Sequence, residues 1–376
     1  MKIIAYYLPQ FHEIEENNQW WGKGYTEWTA LKKAKSYFGT HRQPRIPLNH
    51  NYYNLTEVSV LEWQADLARK YGIYGFCIYH YWFEGKLLLQ KPLELLLHNP
   101  QIKIHYCVCW ANEDWTNGWI SNNPEVLLKQ TYGTEEDWKR HFLFFLPYFK
   151  DERYIKIEGK PLLVIYHPEK IENLNKILAY WTHLASKYNF PGICFASQHP
   201  NALFESNCNA SPFIDFQIEY QPDLAGLYVE PWYYFFFQHF DHILDKIFQT
   251  DYFSKTKFLR PLVKKNYAKT WEYIIHMRQA NSKRIPGAFV DWDNTPRKGK
   301  RGSVYIGTNP EIFYKYMKAQ ILHAKKMYKK NYLFLFSWNE WTEGGYLEPD
   351  TEMRYQYLNA VARALKVTCE WEEEDI

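Results

Sequence analysis

The chain predicts an α/β fold: a single (β/α)8 TIM barrel with elaborated loops at the C-terminal face. Three observations predict it. Short continuous apolar runs, each the mark of a strand buried on both faces of a parallel sheet, alternate with helical patterns along the whole chain. Eight such runs fit into 376 residues with no linker between them. Where the first, second, third, seventh and eighth runs end, the sequence turns polar and aromatic, and barrels keep their chemistry at those strand ends. A doubly wound open sheet is the structural alternative, but no Gly-rich dinucleotide loop and no P-loop is present to occupy its switch point. The barrel is expected to span 1–366, with an elaborated aromatic connection at about 221–284 and an acidic tail at 367–376.

Lys2 to Leu8 reads as the first strand. Asn18 to Trp28 lacks periodicity and is rich in Gly, Trp and charge, so it reads as a substrate-facing loop. Thr56, a good N-cap, opens a helix with Val58, Leu61, Ala65 and Ala68 on one face and Gly72 as its stop. Gly75 to His80 is the second strand, running on into Tyr81-Trp82; a helix at Lys91–His98 leads to the third strand, Lys103–Cys109. A helix around Trp138–Phe149 precedes a strand at Leu162–Tyr166. A helix burying Ile171, Leu174, Leu178, Trp181 and Leu184 precedes another at Gly192–Ala196. Phe213–Ile218 is the sixth strand. The connection that follows holds Trp232 to Phe237, more aromatic than one element needs, and is expected to supply one or two helices roofing the cleft. Gly287–Trp292 is the seventh strand, followed by a basic loop at Arg297–Arg301. Asn309-Pro310 opens a long helix with Phe313, Met317, Ile321 and Ala324 on one face. The eighth strand is Tyr332–Phe336, and a last helix runs from Glu352 to Lys366.

Composition narrows the function classes. Hydrophobic residues at 46% and charged residues at 23% are ordinary for a globular protein, whereas aromatics at 19%, with 16 Trp and 32 Tyr, are high. Such side chains offer flat apolar faces with a polar handle, which suits sugar rings as well as cores. A net charge of +3, with no basic run interleaved with aromatics, argues against nucleic acid. No apolar stretch approaches a membrane span. The six cysteines form no C-x-x-C pair and mostly sit in apolar runs, and the first strand begins at Lys2 with no leader ahead of it, so a reduced, cytoplasmic protein is expected.

The stretch Ser337 to Pro349 carries the strongest chemical signal. Asn339-Glu340-Trp341-Thr342-Glu343 stands directly behind a buried strand, so two carboxylates three residues apart can point into one cleft. Glycosidic-bond chemistry asks for such a pair, one carboxyl to protonate the leaving oxygen and another as base or nucleophile. Asn112 and Glu113 end the third strand and are candidate sugar ligands, with Trp115 beside them. Asp293, Asn294 and Arg297 are placed to grip a hydroxyl or an acidic substituent. Tyr7, His80, Trp82 and Trp110 stand at strand ends, as platform or as packing, and Asn339 and Trp341 flank the glutamates. His239 and His242 lack an acidic partner, so no metal site is expected, and no cofactor.

Five stretches carry a resemblance: Tyr6 to His12, Trp20 to Trp28, Trp110 to Trp115, Trp292 to Arg297, and Asn339 to Gly344. Together they resemble the WbsX family of bacterial polysaccharide-locus proteins, over nearly the whole chain. That family is similar to glycoside hydrolase family 99, the endo-α-mannosidases and endo-mannanases, whose Asn-Glu-Trp-x-Glu-Gly element matches Asn339 to Gly344. The resemblance implies a metal-free barrel. It also implies that Glu340 deprotonates the sugar 2-hydroxyl to give a 1,2-anhydro intermediate, while Glu343 is general acid and then base, with retention of configuration. Glu343 is then expected to be protonated near neutral pH.

A retaining glycoside hydrolase acting on an oligosaccharide or polysaccharide is the first reading. A glycosyltransferase of lipopolysaccharide, O-antigen or capsule biosynthesis is the second; Asp291-Trp292-Asp293 matches the short Asp-x-Asp pattern of metal-dependent transferases, but no nucleotide-binding αβα domain is evident. A non-enzymatic sugar-binding barrel is the third, and it would not need both glutamates.

Overall fold

The computed structural model describes residues 1–118, 125–199, 211–229, 262–278 and 282–371. Eight parallel staves form the barrel: β1 (Lys2–Tyr7), β2 (Ile73–Phe83), β3 (His105–Trp110), β4 (Lys160–Ile165), β5 (Cys194–His199), β6 (Ile214–Glu219), β7 and β8 (Tyr332–Phe336). They neighbour one another in sequence order, and β8 returns to pair with β1, Lys2 opposite Tyr332 and Ala5 opposite Leu335.

β7 is broken by Pro286. Its first half, Arg284–Ile285, pairs with β6, and its second half, Gly287–Phe289, pairs with β8. Proline has no N–H for a ladder, so it sits where the partner changes, and its carbonyl still accepts from Phe334 N–H at 3.2 Å. The seventh strand is therefore shorter than the sequence suggests, and the barrel is nearly rather than fully closed.

The helices are α1 (Glu15–Trp21), α2 (Glu27–Lys32), α3 (Val58–Lys70), α4 (Lys91–His98), α5 (Glu135–Lys150), α6 (Leu174–Lys187), α7 (Asp223–Val229), α8 (Tyr267–His276), α9 (Pro310–His323) and α10 (Gln356–Val367). Most stand where their apolar periodicity predicts. Trp271 of α8 lies between Phe289 of β7 and Tyr316 of α9, near-parallel to both rings, and so fastens both helices to the barrel. Asn309 caps α9 by accepting from Ile312 N–H.

Three expectations need correction. The stretch read as a loop from Asn18 to Trp28 contains α1 and the start of α2; the Thr26 N–H donates to Thr29 Oγ1, and α2 buries Trp28 and Leu31. Thr56 does not cap α3, because its hydroxyl donates to Asn54 instead. The basic stretch after β7 is not a plain loop: Thr295–Lys298 makes a helical turn and Gly299–Arg301 a 3-10 turn. Trp232 to Phe237, His239, His242 and most of the expected roof lie outside the described residues, as does 372–376 of the tail.

Alternation along the staves decides what can reach a ligand. Tyr6, Tyr79, Tyr220 and Phe334 meet one another inside the barrel, with centroids 5.2 to 5.7 Å from Tyr6. Cys77 and Cys107 are register partners, as are Tyr79 and Cys109, so both pairs share that inward face. The next residues along, Tyr7, His80 and Trp110, face the helices.

Where β6 and β7 meet, a Cβ on Gly287 would come 1.7 Å from the Glu219 carbonyl oxygen. Gly287→Ala must therefore push the two staves apart and is expected to cost about 3 kcal/mol or more in urea unfolding. Gly39→Ala, which meets nothing within 4 Å, is the control and should stay within about 0.5 kcal/mol of the parent. Equal midpoints for the two variants would refute the close approach.

Candidate active site

Beyond Phe336 the chain folds into a tight hairpin, Asn339-Glu340 pairing antiparallel with Gly345-Tyr346 across a 3-10 turn at Trp341–Glu343. Gly344 closes the turn at φ +70°, and a Cβ there would lie 2.8 Å from the Asp293 amide nitrogen. Only glycine meets both demands.

The side chains of this hairpin divide into anchors and working groups. Asn339 Oδ1 accepts from Leu8 N–H at 2.8 Å and its Nδ2 donates to the Leu8 carbonyl at 3.0 Å, so the amide extends the β1–β8 pairing beyond the strands. Trp341 stacks on Tyr346 at 3.8 Å and donates Nε1–H to Glu348 at 2.7 Å. Glu348 is buried and also accepts from Gln64 and Tyr53. Glu340 and Glu343, spaced between these anchors, face a cleft of about 300 Å³.

Arg297 joins the pair from the turn after β7. Its Nη1 donates to Glu343 Oε1 at 2.8 Å, its Nη2 donates to Glu27 Oε2 at 2.9 Å, and Nη2 also lies 3.6 Å from Glu340 Oε2. Glu27, at the start of α2, is 1% exposed and accepts a second bond on Oε2 from the Thr342 hydroxyl. Three carboxylates thus share one guanidinium.

The turn carrying Arg297 is itself held from behind. Asp293 Oδ1 accepts from Thr295 N–H and Oγ1–H, Oδ2 faces His41 Nε2 at 2.9 Å and accepts from Gln43 at 2.7 Å, and the Asp293 N–H donates to the Glu343 carbonyl. Burial works against the Asp293 charge, but His41, Arg45, Thr295 and Gln43 outweigh it and bring the carboxyl down to about 2. Asp291 accepts from Arg45 at 2.8 Å and from Thr308. Both carboxylates of Asp291-Trp292-Asp293 are therefore buried and committed to the protein's own donors. Among the described residues no three His, Cys, Asp or Glu are placed to hold a metal ion.

Within the glutamate pair the burial falls on one member and the cation on the other. Glu340 is 5% exposed, and its Oε2 makes no hydrogen bond among the described residues. Burial first, and the charge of Glu343 second, raise its carboxyl well above the ordinary carboxylate range, with Arg297 opposing. Glu343 is more open, its side chain 20% exposed and bonded to Arg297. Burial thus favours the neutral form of Glu340 when the cleft is empty.

Of the other residues singled out from sequence, Glu113, Trp115 and Arg297 line the cleft. Tyr7, His80, Trp82 and Trp110 do not. Tyr7 donates to Gln64 of α3, His80 is 2.9 Å from His141 of α5, Trp82 lies flat on that same imidazole, and Trp110 packs against Trp181 of α6. All four stand on the outward face of their staves. The inward neighbours Tyr79 and Tyr81 line the cleft instead, with Tyr166 after β4 and Tyr220 after β6. Asn112 is a clasp between strand ends, bonded to the His167 carbonyl and N–H. Asn294 is turned away, accepting from Ser303 N–H. Trp20 and Trp21 line the cleft, as the reading of their stretch as substrate-facing expects. Glu27 was missed; its only signal was a place in one of the motifs behind the family resemblance.

A family model described as Glycosyltransferase WbsX matches residues 3–361. The protein WxcX of Xanthomonas campestris pv. campestris (strain B100) is 30% identical over 369 residues, 96% of this chain and 49% of its own length. The chain spans about half the length of the curated relatives it matches. Among solved structures, the GH99 endo-alpha-mannosidase from Bacteroides thetaiotaomicron superposes with a TM-score of 0.61 at 13% identity, covering 98% of this chain and 97% of that one. A glycoside hydrolase-like protein gives 0.56 at 12% identity, covering 96% and 93%. At such identities the likeness is one of fold.

Glu348, beneath the hairpin, generates a pH prediction. Burial raises its carboxyl from 4.5 to about 7, a change that corresponds to about 3 kcal/mol. Since the folded value lies above the unfolded one, the stability tied to this group is full below pH 4.5, falls as pH rises to about 7, and is level beyond. Glu348→Gln removes that dependence, so its stability relative to wild type should climb between those two values and then flatten in urea titrations. A difference constant with pH would contradict the assignment.

Proposed function

We propose, from the premise that the chain belongs to the WbsX family of carbohydrate-active enzymes, that it is a retaining glycoside hydrolase cleaving α-mannoside-like bonds of a polysaccharide. The observation that carries this reading is the pair of carboxylates, Glu340 and Glu343, facing one aromatic-walled cleft from a rigid hairpin. Glu340 Oε2 is buried without a hydrogen-bond donor among the described residues, and a sugar hydroxyl in the cleft would supply one.

In the first step Glu340 takes the proton of the sugar 2-hydroxyl, O2 bonds to C1, the bond from C1 to the leaving oxygen breaks, and Glu343 gives that oxygen its proton. In the second, water attacks C1, Glu343 takes the water's proton, and O2 leaves C1 and recovers its proton from Glu340. Two inversions give net retention. Filling the cleft is what moves the proton to Glu343. A hydroxyl donating to Glu340 Oε2 favours the charged form there, while expelling water from around Glu343 favours the neutral form.

The family's description as a glycosyltransferase supports a second reading, in which the same cleft joins a sugar during lipopolysaccharide, O-antigen or capsule assembly. The commitment of Asp291 and Asp293 to Arg45, His41 and Gln43 weighs against their binding a nucleotide-sugar cation.

The test is turnover of α-mannans and α-mannosides, followed by NMR of the first-formed anomer, beside a panel of nucleotide sugars. Hydrolysis with retention, indifferent to chelator and reduced roughly 100- to 10,000-fold in Glu340→Gln and in Glu343→Gln, is expected. Transfer from a nucleotide sugar with no glycan cleaved would overturn the hydrolase and leave the transferase.

A further inference from the structure

Glu27 has no role in the chemistry just described, yet it is more deeply buried than either glutamate of the pair. It comes from α2, far in sequence from the hairpin, and it is not part of the cleft wall. Its Oε2 takes one donor from Arg297 and one from Thr342, the residue between Trp341 and Glu343. It is therefore tied at once to the cation and to the hairpin that carries the pair.

Counting charges gives this placement a purpose. Arg297 reaches three carboxylates: Glu27, Glu340 and Glu343. If only Glu340 and Glu343 faced the guanidinium, it would favour the charged form of both, and neither would hold a proton for the leaving oxygen. A third carboxylate behind it, fixed and out of contact with substrate, offsets that cation. The remaining two then share a low-dielectric cleft with little net positive field, in which two like charges disfavour each other and one proton is retained between them.

We infer that Glu27 is a positioning residue that offsets the charge of Arg297, so that Glu340 and Glu343 hold one proton between them. It also fixes the guanidinium in place, so that when Glu343 takes up the proton Arg297 still has a partner and does not swing into the cleft. The inference rests on the glutamate pair being the acid–base machinery proposed above. The direction of each neighbour's effect on Glu340 agrees with it: Glu27 raises its carboxyl and Arg297 lowers it.

Other groups facing the pair leave this balance to Glu27 and Arg297. Tyr79 and Tyr81 of β2, Tyr166 after β4 and Tyr220 after β6 are all pushed up by burial and stay neutral. Tyr25, beside Glu27, is pushed up as well. Lys298 and Asp114 are exposed residues of the cleft, and Glu113, 43% exposed, lies 3.6 Å from His167. Burial works against the charged form of His167, but Glu113 and Glu169 raise it overall.

The test reads the pair directly. The full chain is labelled with 13C at the glutamate side-chain carboxyl, the Glu340 and Glu343 signals are assigned from their Gln variants, and both are titrated by NMR in wild type and in Glu27→Gln. The upper step of the pair is expected to fall by about one unit or more in Glu27→Gln and to return toward wild type in Glu27→Asp. The basic limb of the pH–rate profile should move down with it, through kcat rather than KM, because Glu27 does not touch substrate. Should Glu27→Gln fail to fold, Arg297→Gln reads the same balance with the opposite sign, and the step should rise. A titration unchanged in these variants would overturn the inference. A shifted titration in a protein that cleaves no glycan would instead refute the hydrolase reading and leave the charge balance standing.

Discussion

The candidate site depends on one guanidinium having to serve three carboxylates. Arg297 can do so only if its backbone is fixed, and most polar contacts behind β7 and β8 serve that end. Asp293 gathers His41, Gln43 and Thr295 under the turn that carries Arg297, and its N–H holds the Glu343 carbonyl. Gly344 supplies the left-handed residue that lets the hairpin close against that N–H. The loops after β7 and β8 are thus one unit. A change in either moves the cation relative to the pair.

Such an arrangement is expensive in free energy, because each buried charge forfeits hydration that an ion pair replaces only with good geometry. The contacts lie in that range: 2.8 and 2.9 Å to Arg297, and 2.8 Å from Arg45 to Asp291. What the protein leaves incomplete is equally specific. Glu340 Oε2 is buried without a hydrogen-bond donor among the described residues, as is Glu27 Oε1 behind it. Of these two oxygens, the one on Glu340 belongs to a residue of the cleft wall, where a ligand can complete it.

Fold and motif were largely legible in the sequence because buried parallel strands write themselves as continuous apolar runs. The same property hid which residues face the cleft. In a strand buried on both faces, Tyr79-His80-Tyr81-Trp82 offers no polar–apolar alternation from which to read parity, and the chemically richer His80 and Trp82 point toward α5. The packing of His80 against His141 and Phe144 explains why a histidine is tolerated there: burial drives it down to about 3, so it sits neutral in the helix layer. Within the hairpin, Asn339 and Trp341 were legible as part of a site but not as its anchors, since nothing in the sequence pairs them with Leu8 and Glu348. Glu27 was legible only as a member of the Trp20 to Trp28 stretch, not as a part of the site. Its meaning comes from a contact with Arg297 across 270 positions, and no local pattern encodes that.

The aromatic content also gains a more exact interpretation. Tyrosines on the inner face ring the glutamate pair, and burial holds their phenols neutral. They bring hydrogen-bonding capacity and flat surface without adding charge, whereas an equal number of acids or amides would have altered the field or demanded further partners. Tyr79 and Tyr220, with hydroxyls 3.5 Å apart on the cleft floor, can each donate to a sugar oxygen while leaving the proton count of the site to Glu27, Arg297, Glu340 and Glu343. A collar of neutral donors around a small, balanced set of charges separates recognition from proton transfer. Substrate preference can then drift through the tyrosines and the α1 tryptophans while the charge balance beneath them stays fixed.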